Sequence, residues 1–397
     1  MSELSFLTVK EREGRWSRVR EAMKKQGYDC LVVWGSNGSF GSFAANMRYL
    51  SAISDMGYLV FPLEGEPTTF TFEQGLPGPW VKDNRVGHPK YSKAISQRLR
   101  ELHLEKARIG IVGISGYLAE MGFPYVAYKS LMDNFPGARF DDATGLLERV
   151  RRIKSDAEIR IIEAACEAGS RVIQAIVDTA GAGVKDYKVR LKIMDTLFME
   201  GCEPDFMLLY HSGKEGVHAA QGGWAQPPGE KVLQDGDVIL MEFDAKYLGY
   251  RAQFNQPFAI GEPDKEWAGI FRVAAESFDG GFRTLKSGIT AGELDEAFMA
   301  PINKAGYVLR NPAFHGQGLS IEMPVGFFEG QPEYKPDTSF VIEDGMVLEL
   351  EPHIVSSDEK KGIHIGSLVL VTETGCRLLT RDWKPEFKIV RRRASGS

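Results

Sequence analysis

Two stretches decide the fold: DGDVILMEFDAKYLGYRAQF at residues 235–254 and DGMVLELEPHIV at residues 344–355. Each begins with an Asp-Gly pair, which is typical of a turn, and continues into an apolar strand. In each stretch a glutamate follows the turn glycine by six residues, Glu242 after Gly236 and Glu351 after Gly345. The same turn, strand and acid therefore occur twice, which indicates an internal duplication.

The features that precede these strands also occur twice and in the same order. Two glycines 18 residues apart enclose a helical stretch in both halves, and a histidine follows: Gly183, Gly201 and His211, then Gly288, Gly306 and His315. Two such units packed about a pseudo-twofold axis predict a curved antiparallel sheet on which the two glutamates hold related positions. Chance similarity between two ordinary α+β segments is the alternative.

The first 150 residues alternate helix and strand patterns, which predicts a separate α/β domain. Trp16, Val19 and Met23 recur at helical spacing, and the buried strand YDCLVVW follows at residues 28–34. A new unit begins near Ser155, where SDAE has the form of a helix capping box. We therefore predict an N-terminal domain over residues 1–150 and a C-terminal catalytic domain over residues 151–397.

Composition excludes several classes of protein and favours an ordinary globular enzyme. The 397 residues carry a net charge of −6, which argues against nucleic acid or an anionic membrane as a partner. No apolar run is long enough for a signal peptide or a membrane span. The cysteines form no CxxC pair, so we expect no zinc knuckle or disulfide framework and a cytoplasmic location: Cys30, Cys166, Cys202 and Cys376.

Motifs along nearly the whole chain resemble the pita-bread family of creatinase, prolidase, aminopeptidase P and methionine aminopeptidase. They are MRYLSAISDMGYLVFPLEGEP in the first domain, and RRIKSDAEIRIIEAA, FHGQGL, GMVLELEP and LVLVTETG in the second. The resemblance implies an α+β fold, with a pita-bread domain that has an internal pseudo-twofold repeat and a curved antiparallel sheet. It also implies a smaller N-terminal α/β domain and a homodimer.

The metal ligands of the family are only partly present. Its metal-dependent members hold two divalent ions with two aspartates, a histidine and two glutamates, and the resemblance places these at Glu242, Gln253, His315, Glu351 and Gly366. Two close dications need several carboxylates to offset their repulsion, whereas an amide and a glycine supply none. We therefore expect no cofactor. The alternative is one divalent ion on Glu242, Asp244, His315 and Glu351.

The resemblance to creatinase, a member that works without metal, suggests the catalytic residues. His218 matches its histidine base and acid, Glu351 matches one of its acids, and Asn255 replaces the other. We predict four catalytic residues: His218, Glu351, His315 and Glu242. Six further residues are predicted to contact the substrate: Glu322, Asn255, Gln253, His364, Trp224 and Phe327.

Structural explanations for the acids stay open beside the catalytic one. Glu242 and Glu351 could form structural ion pairs with Arg251 or Lys246, because a buried carboxylate must be paired. Glu349 lies two residues from Glu351, and Asp244 two from Glu242. They could extend an acidic pocket or line a solvated strand.

These observations predict a hydrolase that cleaves a C–N bond of a small polar or cationic substrate, with a histidine as general base and acid. One alternative is a single-metal member that acts as a peptidase near proline or as a lyase. The other is a protein without catalytic activity that uses the pocket to bind a ligand or peptide.

Overall fold

The computed structural model describes residues 6–35, 42–53, 56–72, 80–115, 122–204, 207–222, 229–327 and 335–391. The chain forms two compact units, Met1–Glu158 with Leu319–Ile321, and Ile159–Gly318 with Glu322–Ser397. The predicted domain bounds of 1–150 and 151–397 stay a prediction. Within the described ranges, every helix is too short or too polar to cross a bilayer.

The first unit is built on one mixed sheet. Its elements are α1 (Val9–Gln26), β1 (Cys30–Gly35), α2 (Ser42–Ser51), β2 (Gly57–Pro62), β3 (Thr68–Thr71), β4 (Asp83–Val86), α3 (Tyr91–Glu101), β5 (Arg108–Val112), α4 (Tyr125–Asn134), β6 (Arg139–Asp142) and α5 (Thr144–Arg152). The strand order is β4-β3-β2-β1-β5-β6. β1 is antiparallel to β2 and parallel to β5.

Local sequence accounts for these elements. α1 buries Trp16, Val19 and Met23 and ends at Gly27, which takes the left-handed conformation at φ 74°. The strand predicted at residues 28–34 is β1, whose residues Cys30 and Val32 are fully buried in the core. The α/β character predicted for this part of the chain is confirmed.

The second unit carries the duplicated stretches. Its helices are α6 (Asp156–Thr179, which begins in the first unit), α7 (Asp186–Met199), a short 3₁₀ helix (Ala219–Gly222), α8 (Lys265–Thr284) and α9 (Ala291–Ala305). Its strands are β7 (Leu208–Gly213), β8 (Val238–Tyr247), β9 (Tyr250–Asn255), β10 (Phe258–Ile260), β11 (Val308–Leu309), β12 (Phe314–Gln317), β13 (Ile321–Val325), β14 (Val347–Leu350), β15 (His353–Val355), β16 (Gly362–His364), β17 (Ser367–Val371), β18 (Cys376–Leu378) and β19 (Lys388–Val390).

The internal repeat is present in the backbone. Gly183 has φ +90° and Gly288 has φ +91°, and both lie where the chain enters the second helix of a pair. The N–H of Gly183 donates to the carbonyl of Leu233, and that of Gly288 donates to the carbonyl of Ile342, both at 2.8 Å. Because matched glycines make matched hydrogen bonds, the two halves share one architecture.

The strands of the two halves meet along one line, which we call the seam. β8 pairs with β7, β9 and β10, and β14 pairs with β12 and β17. An isolated bridge between Asn255 and Gly366 joins the two sets of strands. Glu242 lies opposite Asn255 in β9, and the register of β14 and β17 continues to Glu351 opposite Gly366. The duplication therefore places one glutamate on either side of the seam.

Candidate active site

The two glutamates are buried and share one partner. Glu242 is 8% exposed and Glu351 is 4% exposed. Gln253, on β9, donates from Nε2 to Glu351 Oε2 at 2.6 Å and to Glu242 Oε1 at 3.3 Å. Asn255 donates from Nδ2 to Glu351 Oε2 at 3.1 Å. The side-chain amides of Gln253 and Asn255, both on β9, thus donate hydrogen bonds to glutamates from the two halves.

Two imidazoles approach the same carboxylates. Nε2 of His315 lies 3.2 Å from Glu351 Oε1, and Nε2 of His364 lies 3.2 Å from Glu351 Oε2. Nδ1 of His364 lies 3.6 Å from Glu242 Oε2. His364 therefore lies between the two glutamates, and His315 lies beside Glu351.

The two glutamates differ in acidity because their neighbours differ. Burial and the charge of Glu351 raise the pKa of Glu242 well above its usual range. Burial would also raise the pKa of Glu351, but the imidazole of His315 outweighs it and lowers that pKa to about 2. Burial alone would lower the pKa of His315, whereas Glu351 raises it. The two pKa values are therefore shifted in opposite directions, so Glu242 favours its protonated form and Glu351 its ionised form.

His218 lies at the edge of this group and is held in one tautomer. Its Nδ1 accepts a hydrogen bond from the backbone N–H of Ala220 at 2.8 Å. The neutral ring then carries its proton on Nε2, which lies 3.9 Å from Glu242 Oε2 and 3.0 Å from the Nδ2 position of Asn311, so the Asn311 amide accepts this proton when its oxygen takes that position. Burial and the neighbouring His364 lower the pKa of His218 to about 4, so the ring is neutral near pH 7.

His353 is a site residue that the sequence analysis missed. It is fully buried, and its ring stacks on that of His364 with centroids 4.7 Å apart. Its Nε2 lies 2.5 Å from the carbonyl oxygen of Val217, and its Nδ1 has no partner among the described residues. The sequence feature that could have identified it is its position two residues after Glu351. Asn311 had no such signal.

Glu349 and Gly366 lie next to each other at the seam. Glu349 is fully buried, so the interpretation of a solvated strand is wrong for it. Neither of its carboxyl oxygens has a partner among the described residues. A Cβ placed on Gly366 would lie 2.4 Å from Oε1 of Glu349. The carboxyl group of Glu349 therefore fills the space that a side chain at position 366 would need.

The basic residues proposed as structural partners are used elsewhere. Arg251 forms an ion pair with Asp244, and Lys246 lies 3.3 Å from Glu203. The structural explanation that paired Arg251 or Lys246 with Glu242 or Glu351 is therefore not supported by these contacts. Asp244, one of the ligands proposed for a single ion, forms this ion pair with Arg251.

The remaining predicted substrate contacts are less central. Glu322 is buried on β13, the neighbour of the strand that carries His315. Phe327 is 38% exposed, and its backbone N–H donates to Asp295 Oδ1 at 3.0 Å. Trp224 lies outside the described residues. Geometry thus gathers Glu242, Gln253, Asn255, His315, Glu351, His364 and His218, while the roles predicted for all these residues stay predictions.

Two family models match this chain. Residues 160–373 match the metallopeptidase family M24, and residues 15–153 match the Creatinase/Prolidase N-terminal domain. The first match covers more than half of the 397 residues. The resemblance predicted from the motifs is confirmed.

Similar proteins and structures agree with these matches. The chain is 27% identical to the Xaa-Pro dipeptidase of Pyrococcus horikoshii over 92% of this chain and 96% of that protein. It is 24% identical to the ectoine hydrolase of Halomonas elongata over 94% and 96%. The X-Pro aminopeptidase structure from Thermotoga maritima superposes with a TM-score of 0.77 at 21% identity, covering 94% of this chain and 99% of that one. The predicted α+β, pita-bread fold is confirmed.

The prediction of a site without a cofactor is wrong for this family. The matched model is that of a metallopeptidase family. The described residues also include three histidines that could hold a metal ion, with one ligand atom each within 4.8 Å of the others: His218, His353 and His364. The prediction failed because it weighed the five family positions and Asp244 as ligands but not these histidines, which the fold brings together from remote segments.

The five family positions themselves do not fit a pair of divalent ions. Gln253 is a hydrogen-bond donor to both glutamates, so its amide N–H group points where two cations would need a carboxylate. Gly366 has no side chain, and Glu349 fills the adjacent space. The residues at these positions would therefore not hold a pair of metal ions.

The fold, the two glutamates at the seam, the family models and the relatives give one consistent assignment. The M24 relatives include dipeptidases and a hydrolase that match this chain along almost its full length. This chain is a hydrolase that belongs to metallopeptidase family M24 and carries the Creatinase/Prolidase N-terminal domain.

Proposed function

We propose that the chain hydrolyses a C–N bond of a small polar or cationic substrate at the seam, with proton transfer by a histidine. The observation that carries this proposal is the position of His364. Its Nε2 lies 3.2 Å from Glu351 Oε2 and its Nδ1 lies 3.6 Å from Glu242 Oε2. An imidazole between an ionised and a protonated carboxyl group is a general arrangement for acid–base chemistry.

His364 is suited to accept the proton of the attacking water. The ionised Glu351 lies 3.2 Å from Nε2 of His364 and favours a proton on that nitrogen by its charge, which leaves the lone pair of Nδ1 free to act as a base. Water that loses its proton to Nδ1 attacks the carbon of the C–N bond. Glu242, whose raised pKa favours the protonated form, gives its proton to the leaving nitrogen as the C–N bond breaks and regains one from His364.

His218 takes a different role from the one that the resemblance implies. Since the N–H of Ala220 occupies Nδ1, the neutral ring presents Nε2–H and cannot readily accept a proton there. We propose that this N–H donates to the oxygen on which negative charge develops during attack. His315 keeps Glu351 ionised, and Gln253 keeps both glutamates in place.

The test is an assay of amine release over a panel that includes Xaa-Pro dipeptides and ectoine, which the names of the relatives suggest. Glu351→Gln and His364→Asn should each lower kcat by about 100-fold or more without loss of fold. His211→Asn is the matched control, because His211 contacts only the carbonyl of Glu215 in the described contacts. Full activity of Glu351→Gln would contradict the proposal.

A second candidate is metal-assisted hydrolysis of the same bond, which one feature of His353 favours. Its Nε2 is fixed by the carbonyl of Val217, so its buried Nδ1 presents a lone pair, as in many metal-binding histidines. An ion held by His353, His364 and His218, with the His218 proton moved to Nδ1 and its hydrogen bond from Ala220 given up, would polarise a carbonyl group and lower the pKa of a bound water. Metal analysis of protein purified without chelator, with His353→Ala for comparison, tests this role. Loss of metal and activity together in His353→Ala would support it, and unchanged metal content in that variant would contradict it.

We further propose a homodimer in the cytoplasm. The resemblance supports the dimer. The four cysteines, which are free thiols in the structure, support a reducing compartment: Cys30, Cys166, Cys202 and Cys376.

A further inference from the structure

A cavity lies against the face of β9 that is turned away from the two glutamates. Successive side chains of a strand point to opposite faces, and Gln253 and Asn255 take the face that meets the glutamates. Phe254 and Gln256 take the other face, where they line a cavity of about 190 Å³ together with residues of α6 and of the segment 380–388. This volume is below that of sites for drug-sized ligands, so the cavity suits a small molecule.

The lining of this cavity includes a buried amide with a free acceptor. Gln256 is only 3% exposed. Its Nε2 donates to the carbonyl oxygens of Glu386 at 2.5 Å and of Pro257 at 3.2 Å, which fixes the orientation of the amide. Its Oε1 accepts no hydrogen bond from the described residues. Because a buried acceptor without a partner is costly, this position favours a ligand that donates an N–H group.

Charged side chains of both signs line the same cavity. Nζ of Lys388 lies 2.6 Å from Oε2 of Glu386, so these two charges offset each other. Arg381 and Lys384 form no ion pair with any residue that the structure describes, and the same holds for Asp382 between them. The lining therefore offers two cations to a carboxylate and one carboxylate to an ammonium group.

Apolar groups form the rest of the wall. Ile173 and Val177 are four residues apart on α6, so they lie on one face of the helix. The rings of Phe254 and Trp383 also line the cavity, and Trp383 packs on Phe278 with centroids 4.7 Å apart. These groups would bury an apolar side chain of the ligand.

We propose that this cavity is a second ligand site, which binds a small zwitterionic α-amino acid with an apolar side chain. The carboxylate of the ligand pairs with Arg381 and Lys384. Its ammonium group donates to Oε1 of Gln256 and to Asp382, and its side chain packs against α6 and the ring of Phe254. The site is separate from the seam and takes no part in the proposed hydrolysis, so it stands or falls independently of it.

The experiment compares L-leucine with two probes that each lack one of its charged groups. They are 4-methylpentanoate, which has no ammonium group, and 3-methylbutylamine, which has no carboxylate. Affinities for the full-length protein are measured by calorimetric or NMR titration. Leucine should bind more tightly than either probe by about fivefold or more, because each charged group makes charge-assisted hydrogen bonds. Equal affinity for the three molecules would overturn the proposal.

Variants of the lining locate the bound leucine. The double variant Arg381→Gln/Lys384→Gln should weaken leucine binding by about fivefold, since both cations are exposed and their pairs are modest in strength. Val177→Phe places a ring in the cavity and should abolish binding. Lys304→Gln is the matched control, an exposed lysine on α9 outside the cavity, and should bind leucine as the wild type does.

A variant of the seam separates this site from the one proposed for hydrolysis. Glu351→Gln should keep the affinity for leucine, because Glu351 lies on the other side of β9. Circular dichroism with thermal unfolding shows that each variant is folded. Leucine binding that survives Val177→Phe and the double variant but is lost in Glu351→Gln would place the amino acid at the seam and overturn the second site. Amine release is measured separately, so its outcome does not affect this one.

Discussion

Gln253 lies between two buried glutamates and donates to both, so a neutral amide at this position stabilises their pairing. A residue with a carboxylate side chain at position 253 would instead place three acids in contact. Single residues such as this one decide whether the site accepts cations or holds itself together by hydrogen bonds.

The variant Gln253→Glu tests this role. It should lower the free energy of unfolding by about 3 kcal/mol at pH 8. The new glutamate adds a third buried negative charge, and it lacks the N–H group with which Gln253 donates to Glu242 and Glu351. The loss should be smaller at pH 5, where carboxyl groups of raised pKa are protonated. Denaturant unfolding at both pH values measures it. Gln253→Met, which is neutral, should lose stability equally at both, and a pH-independent loss in Gln253→Glu would contradict the explanation.

Asp295 gives a second prediction for a single residue. Burial raises its pKa to about 6, although the N–H of Phe327 partly offsets this. A raised folded pKa means that the native state binds more protons than the unfolded state between about pH 4 and 6, so stability falls as pH rises through this window.

Replacement by asparagine removes the ionisation. Relative to wild type, Asp295→Asn should gain stability between pH 4 and pH 7, by about 2–3 kcal/mol at most. Thermal unfolding at a series of pH values follows the gain. Glu296→Gln, an exposed neighbour on α9, should show none, and a constant difference for Asp295→Asn across the series would show that the pKa is not raised.

At the scale of elements, α6 packs closely against β9, the strand that carries Gln253 and Asn255. An added Cβ on Gly169 of α6 would lie 1.9 Å from Cε2 of Phe254. The ring of Phe254 stacks on Phe243 with centroids 5.1 Å apart, so it cannot move away freely. The helix therefore supports the position of the amides at the seam.

Gly169→Ala should destabilise the protein by about 1–3 kcal/mol, because overpacking forces the helix or the ring to shift. Gly269→Ala on α8 is the matched control, since its Cβ would meet the nearest atom, Tyr307 Oη, at an ordinary 3.6 Å. That control should be neutral or stabilising by up to about 1 kcal/mol, as alanine favours helix. Denaturant unfolding compares the two. Equal effects would show that α6 is not closely packed here.

Both capping boxes were predictable from local sequence alone. Ser155 and Glu158 exchange hydrogen bonds of 2.9 and 3.2 Å, and Thr290 and Glu293 form the second box at the start of α9. A cap depends on residues three apart, so sequence spacing determines it. The glutamates that follow the Asp-Gly turns were predictable for the same reason.

At the scale of the whole molecule, the assembly state follows from the resemblance and is open to direct measurement. Size-exclusion chromatography with light scattering should give about 88 kDa, twice the chain mass of 44.1 kDa. The dimer mass should persist on dilution through the micromolar range, since obligate interfaces bury a large area. A mass of 44.1 kDa at these concentrations would contradict the homodimer.

The sequence by itself determined the duplication, the α+β architecture, the family and the two glutamates, because turns, caps and strand patterns depend on neighbouring residues. Only the tertiary structure decided what surrounds those acids. His218, His353 and His364 come from separate segments, and Gly366 leaves its space to Glu349 from another strand. Contacts between distant segments depend on how strands pair and cross, so spacing along the chain could not give them. For that reason a metal-free site was the wrong expectation from the family positions and Asp244 alone.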